Sequence, residues 1–364
     1  MVNGTCNGEG NVSGKCYSIR RSQGKAHIMK SAVIKSPNAE VRLEERDRPS
    51  PTRGEVLIRV RACGVCHGDL MLQLGQFPFA RYPVVPGHEI TGVIEKVGEG
   101  VEQLNPGDRV GMSALFSSCS CCKQCLDDDE FLCSQMQLTG ITQDGGYQQF
   151  MLAPAAYVAR LPDGLDFSEA APLMCAGLTV FSGLRHAGFE PGNKVAIIGL
   201  GGLGHMGVLL VRALRGRVAV LSTSADKEDQ AREFGAERFI NLKTESASEA
   251  LRTWEGGADI ILATPPVAEP MMAAFPGLAV NGTMVVLGAP PDDIAVNPME
   301  LIMGRRRLMG SPAGSRKDLH DLLHLAASHG VRARVAPMPL EDAGKALKRM
   351  QEGNMLGRVV LVMD

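Results

Sequence analysis

The feature that most constrains this 364-residue chain is the run Gly199-Leu200-Gly201-Gly202-Leu203-Gly204. It sits between a buried-strand pattern, Lys194 to Gly199, and a helical one, His205 to Leu214. A bare G-x-G-x-x-G is weak, but at a strand–turn–helix junction it has a mechanism. The first glycine permits the tight turn, the second lets backbone approach a pyrophosphate, and the third allows the helix to pack closely on the strand. Helix N-terminal amides and the positive dipole end then receive the phosphates. Val218 to Leu221 reads as the next strand, with Ala258 to Ala263 and Thr283 to Gly288 as later ones. Their alternation with helices predicts a doubly wound α/β unit over 176–313.

The second strand of such a unit ends about 20 residues past the turn, where an acid binds the ribose 2′-hydroxyl of NAD. Here that place reads Ser222-Thr223-Ser224-Ala225-Asp226-Lys227. A carboxylate about 5 Å from a 2′-phosphate would be opposed by roughly 3 kcal/mol per unit charge at an effective dielectric of about 20. With no acid at the strand end, and with Ser222, Thr223, Ser224 and Lys227 as donors, the expectation is NADP(H) in preference to NAD(H). The alternative is that Asp226 turns back onto the ribose.

Residues before this unit read differently. Val56 to Val60 and Ile90 to Val97 are short β-rich runs punctuated by Val85-Pro86-Gly87 and Asn105-Pro106-Gly107-Asp108. Ala32-Val33-Ile34 opens the first strand, and residues 1–28 read as a disordered extension, with a weak organelle-targeting peptide as the alternative. After 314, Arg316 to Ser328 is helical, with Leu319, Leu322, Leu323 and Ala326 on one face. A strand, Arg358 to Met363, closes the chain. Asp127-Asp128-Asp129-Glu130 reads as a solvated loop. At about 150 residues per domain, the length allows two domains. With 38 Lys+Arg against 40 Asp+Glu there is no basic field to attract nucleic acid, and no apolar run approaches a membrane span.

Five of the ten cysteines (Cys119, Cys121, Cys122, Cys125 and Cys133) fall within fifteen residues. Such crowding suits thiolate ligation in a reducing compartment, so the cytoplasm is the expected location. Cys119, Cys122, Cys125 and Cys133 can close a tetrahedral shell around Zn²⁺ with no open position, which is a structural site. A redox C-x-x-C pair is the alternative. Cys121 breaks the rhythm and is left unligated, although the register leaves Cys121 and Cys122 interchangeable. Cys66, His88 and Cys175 are scattered, and taken singly His88 and Cys175 also fit buried structural roles.

Together these segments resemble the zinc-dependent medium-chain dehydrogenases/reductases, above all the bacterial, yeast and cinnamyl-type alcohol dehydrogenases. The resemblance rests on Cys66-His67-Gly68-Asp69, Gly87-His88-Glu89, the four-Cys lobe, Ala171-Pro172-Leu173-Met174-Cys175-Ala176-Gly177-Leu178-Thr179 and Gly199 to Gly204. Their order and separations match from Met29 onward. The resemblance implies a GroES-like β-rich catalytic domain, 29–175 and 314–364, with a Rossmann domain, 176–313, inserted before its C-terminal portion. It makes Cys66, His88 and Cys175 the ligands of a catalytic Zn²⁺ whose fourth position stays open. Glu89 matches a carboxylate that approaches the metal, and Asp69 the acid that orients the liganding His. His67 takes the place of a cation or imidazole beside the pyrophosphate, while Leu203 and Thr179 fall with the cofactor contacts.

The expected activity is hydride transfer between NADP(H) and an alcohol or aldehyde, with two Zn²⁺ per chain. The expected assembly is a homodimer or homotetramer, since Arg307 to Gly310 matches a strand that pairs between subunits. Two alternatives stand beside it: a conjugate (C=C) reductase on the same fold, and a non-catalytic cofactor-binding protein. Two departures from the family pattern bear on substrate. Gly68 replaces a Ser or Thr that relays the alcohol proton, with Met71 at the relay's outer His position, and Ala114 stands where relatives often have Trp. Both remove bulk, so bulky aromatic or long-chain aldehydes are expected to be preferred.

Overall fold

The structure is a computed structural model that describes residues 28–353 and 357–363. The expected disordered extension, 1–28, lies outside the described residues except for Ile28, and there it needs correction. The first strand is Ile28–Val33, not a strand opening at Ala32. It pairs antiparallel with Arg42–Asp47 along its whole length, from Ile28↔Asp47 to Val33↔Arg42. That ladder satisfies backbone groups which the unpatterned sequence before Ala32 did not advertise.

Six parallel strands form the second-half sheet, in the order 3-2-1-4-5-6 when numbered along the chain from Lys194–Ile198. Arg238–Asn241 lies at one edge and Arg307–Gly310 at the other. Both faces are covered, and the side-chain alternation of the central strand shows how. Val195 and Ile197 enter one apolar cluster with Leu178, Val208 and Leu322, while Ala196 and Ile198 enter another with Leu251, Trp254 and Met271. A strand buried on both faces reads as a continuous apolar run, and this is why Lys194 to Gly199 was visible in the sequence. The following helix is Gly202–Ala213, starting three residues before the expected His205. Its first turn is Gly-Leu-Gly, which carries no amphipathic period to reveal it. The strand expected at Thr283 begins at Leu278 and ends at Val286, with a register shift opposite Ala258/Ile260.

The other sheet has seven strands and takes them from both ends of the chain. Arg358–Val362 pairs antiparallel with Glu55–Gly64, which pairs in turn with Glu89–Val97. Phe150–Pro154 pairs with the first half of Glu55–Gly64. Its core gathers Ile58, Val60, Ile90, Val110, Tyr147 and Leu361. No single helix among the described residues is long and apolar enough to cross a membrane.

The acid run is not wholly solvated. Glu130 is buried, and its carboxylate receives the Arg316 Nε at 2.7 Å. Arg316 also donates to the carbonyl of Ala156 at 3.2 Å and lies over the ring of Tyr157 at 4.9 Å. The Tyr157 hydroxyl reaches Ser118 at 2.8 Å. The reason for the correction is tertiary: a charge 186 residues away meets this acid and permits its burial. The cysteine lobe is thereby pinned to the start of the helix Arg316–His329.

His205 is buried at the root of the glycine-turn helix, against Phe234 at 4.6 Å between ring centroids. The backbone N–H of Arg334 donates to its Nε2 at 3.2 Å, which requires the neutral ring. Burial, with Arg358 and Arg334 nearby, lowers its pKa to about 4. The unfolded chain takes up this proton near pH 6.5 and the folded one only near 4, so stability falls as pH drops through that window. The expected loss is roughly 3 kcal/mol. His205→Gln keeps an acceptor for Arg334, and denaturant titrations of the variant should lack this part of the acid sensitivity.

Candidate active site

The site is assembled around one buried carboxylate. Cys66 precedes the short helix His67–Gln73, and Asp69 in its first turn reaches back to accept the Cys66 N–H at 2.9 Å. The same carboxylate accepts the Gly87 N–H at 3.0 Å, His88 Nδ1 at 3.1 Å and the Tyr147 hydroxyl at 3.0 Å. It thus fixes three separate segments. Gly87 has φ +98°, and a Cβ there would stand 2.3 Å from the Tyr147 ring, so the Pro86-Gly87-His88 turn can hold only glycine.

His88 then presents Nε2 toward Cys66 and toward Cys175, which lies between the 3₁₀ turn Ala171–Met174 and the helix Ala176–His186. One ligand atom each from Cys66, His88, Glu89 and Cys175 falls within 4.8 Å of all the others. The Cys66 and Cys175 sulfurs are 3.7 Å apart. Two thiolates bound at about 2.3 Å to one tetrahedral ion stand about 3.75 Å apart. The donor set therefore fits zinc. The hydrogen bond from Cys175 holds Cys66 well below the usual thiol range, and the His88 side adds to this. Burial alone would push the His88 imidazole down, yet Asp69 and Cys66 hold it well above its ordinary value. A dication seated here would take the proton's place on Nε2.

Glu89 opens the strand Glu89–Val97 and is fully buried. Its Oε1 pairs with Arg358, while Oε2 has no partner. Burial pushes its pKa up to about 7, against the opposing pull of Arg358. Arg358 is the site residue that sequence reading missed. It is buried, and its guanidinium packs against Gly202, where a Cβ would meet Nη1 at 2.2 Å. One cation thus links the carboxylate beside the thiols to the glycine turn. Nothing local in Gly357-Arg358-Val359 marks it, because the pairing spans 269 residues. Tyr147 was also missed, as a lone aromatic in an unpatterned loop.

The glycine turn has the expected shape: Gly199 takes φ +82°, and a Cβ on Gly204 would stand 2.0 Å from the Gly199 carbonyl oxygen. Gly201 has open space around it and precedes the helix Gly202–Ala213, of which Leu203 is part. Ser222 ends its strand buried, accepting the Ser224 N–H at 3.1 Å, while Thr223 and Asp226 are exposed and Lys227 is half-buried. Thr179 is buried one helical turn after Cys175. His67 is exposed at the start of its helix. A Cβ on Gly68 would stand 3.1 Å from Cε1 of His88, so a side chain here would press on a ligand residue. Ala114 is buried.

In the cysteine lobe, one sulfur each of Cys119, Cys122, Cys125 and Cys133 lies within 4.8 Å of the rest. Cys119–Cys125 is 3.9 Å and Cys122–Cys125 is 3.5 Å, again the spacing of thiolates around one tetrahedral ion. Cys121 is exposed and outside the group. Backbone N–H groups of Cys121 and Cys122 bring Cys119 down to about 6.

Two family models match the chain: "Alcohol dehydrogenase GroES-like domain" over residues 52–163 and "Zinc-binding dehydrogenase" over 202–328. An alcohol dehydrogenase from Geobacillus stearothermophilus is 38% identical over 337 residues, covering 92% of this chain and all of the relative. This chain belongs to the zinc-type medium-chain alcohol dehydrogenase family. A solved cinnamyl alcohol dehydrogenase from Sorghum bicolor superposes with TM-score 0.83 at 31% identity, over 92% of this chain and 97% of that one. CAD from Helicobacter pylori, complexed with NADP(H), gives TM-score 0.83 at 26% identity over 92% and 98%. This alcohol dehydrogenase family member is an oxidoreductase with a GroES-like and a Rossmann-like domain.

Asp69→Ala strands the Cys66 and Gly87 N–H groups and the Tyr147 hydroxyl in a buried site. At about 1–3 kcal/mol for each unsatisfied group, the loss should be at least about 3 kcal/mol in denaturant unfolding. Tyr147→Phe removes one bond and should cost about 1 kcal/mol.

Proposed function

We propose that this family member is an NADP(H)-dependent zinc alcohol dehydrogenase working as an aldehyde reductase on bulky aromatic or long-chain substrates. The convergence of Cys66, His88 and Cys175 in front of Asp69 carries the proposal, because it matches a catalytic zinc shell with one position left open. When bound, zinc polarises a substrate oxygen and the nicotinamide carries the hydride.

The chain's own residues do the rest. Asp69 holds His88 by Nδ1, so Nε2 faces the thiols. Cys66 and Cys175 supply negative charge, and Arg358 balances Glu89 behind them. Amides of the Gly199–Gly204 turn, with Arg358 and the exposed His67 at the sides, bind the pyrophosphate. Leu203 and Thr179 flank the cofactor, while Ser222, Thr223, Ser224 and Lys227 receive the 2′-phosphate. Cys119, Cys122, Cys125 and Cys133 hold the second, structural zinc. The domains assigned are 29–175 with 314–364, and 176–313, in keeping with the strand shared between the chain ends. The edge strand Arg307–Gly310, with Val280, Ile302 and Met303 exposed nearby, supports pairing of two copies as a homodimer or as half of a homotetramer.

Metal analysis should find two Zn per chain. Cys66→Ala should keep NADPH binding but lose nearly all carbonyl reduction, whereas Cys122→Ser should lower the thermal midpoint more than it alters hydride transfer. Wild-type turnover by the metal-depleted Cys66 variant would overturn the catalytic assignment.

The coenzyme preference should appear as kcat/KM at least about tenfold higher with NADPH than with NADH, or ~1.4 kcal/mol. Ser222→Asp should reverse the order, and equal use of both coenzymes by the wild type would overturn the preference.

Gly68 removes a proton-relaying hydroxyl, and this favours a second reading, in which a conjugated substrate accepts hydride at its β-carbon. Cinnamaldehyde separates the two: the allylic alcohol as product supports carbonyl reduction, and the saturated aldehyde supports conjugate reduction. Cinnamaldehyde should also turn over faster than acetaldehyde, since its larger apolar surface gains about 25 cal/mol per Å² buried.

A further inference from the structure

Outside the catalytic and cysteine clusters, the helix Arg316–His329 brings a third set of metal-binding side chains together. His320 and His324 lie one turn apart on its solvent face and are both exposed. Their Nε2 atoms are hydrogen-bonded to each other at 3.2 Å, with ring centroids at 4.4 Å, so both imidazoles bring the same nitrogen to one place, where a bound ion would replace the shared proton. Two imidazole nitrogens bound to one ion at about 2.05 Å are separated by about 2.9 Å at a right angle and about 3.35 Å in tetrahedral geometry. The observed spacing falls between these limits.

A neighbouring acid completes the arrangement. Asp321 Oδ1 lies 3.4 Å from His320 Nδ1. A carboxylate on the far nitrogen fixes the tautomer that leaves Nε2 free to bind a metal. Lys317 holds the other carboxylate oxygen at 2.9 Å. The opposite face of the helix is anchored in the core through Leu319, Leu322 and Leu323, so the pair is carried on a rigid element. Hydride transfer has no use for these residues.

We propose that His320 and His324 form a surface chelate for one divalent transition-metal ion of the imidazole-binding class, such as Zn²⁺, Ni²⁺ or Cu²⁺. Asp321 orients His320, and water completes the coordination. Only two protein ligands hold this ion, so it is more labile to chelators than ions held by three or four. Zinc measured at high free metal would then exceed the two ions expected from the buried sites.

Ni²⁺ is the probe, added to the zinc-loaded full-length protein and followed by calorimetry. One Ni²⁺ per chain should bind, and His320→Gln and His324→Gln should each weaken binding at least tenfold. Asp321→Asn should weaken it about threefold or more, and alcohol–aldehyde turnover should be unchanged in all three variants. The positions are exposed, and circular dichroism will show whether the helix is intact. Equal Ni²⁺ affinity in the wild type and the double histidine variant overturns the site. So does a loss that depends on one imidazole alone, because a chelate needs both.

Discussion

The Asp69 carboxylate is the interaction on which the rest of the site depends. A buried carboxylate is tolerated only when its lone pairs are filled, and this one is filled by donors from residues 66, 87, 88 and 147. Filling it forces the helix His67–Gln73, the Pro86-Gly87-His88 turn and the Tyr147 loop into one arrangement. The ligand positions follow from that arrangement. Cys66 is set by its backbone N–H and His88 by its ring, so the geometry for a metal exists in the protein's own hydrogen bonds.

What the sequence disclosed was what is local. The glycine turn, the four-cysteine spacing and the doubly buried strand Lys194–Ile198 each carry their meaning within a few residues, and each has the expected form in the structure. The contributions of Arg358 and Glu130 were hidden because each depends on a partner in a distant segment. Arg358 follows Gly357 and reads as an ordinary strand opener. Glu130 reads as the last member of an acid run. Helix and strand ends slipped where glycine or a register shift removed the periodic signal, as at Gly202 and Leu278.

Charge organises the space between the two sheets. The thiols, Glu89 and Asp69 concentrate negative charge on one side, with His88 and Arg358 among them. Arg358 touches Glu89 and Gly202 at once. Charge at the glycine turn is thus set beside the same guanidinium that pairs with Glu89.

The strand that carries Arg358 ties distant parts of the sequence to the site. It is the last strand among the described residues, yet it lies beside Glu55–Gly64, about 300 residues earlier in sequence. Without it, Glu89 has no cation, and a carboxylate with that burial is not stable as an ion. A chain cut short before residue 358 would hold every proposed zinc ligand and still lack the counter-charge that steadies them. The charge balance of the site is thus supplied by a distant strand, through a residue that is not itself a ligand.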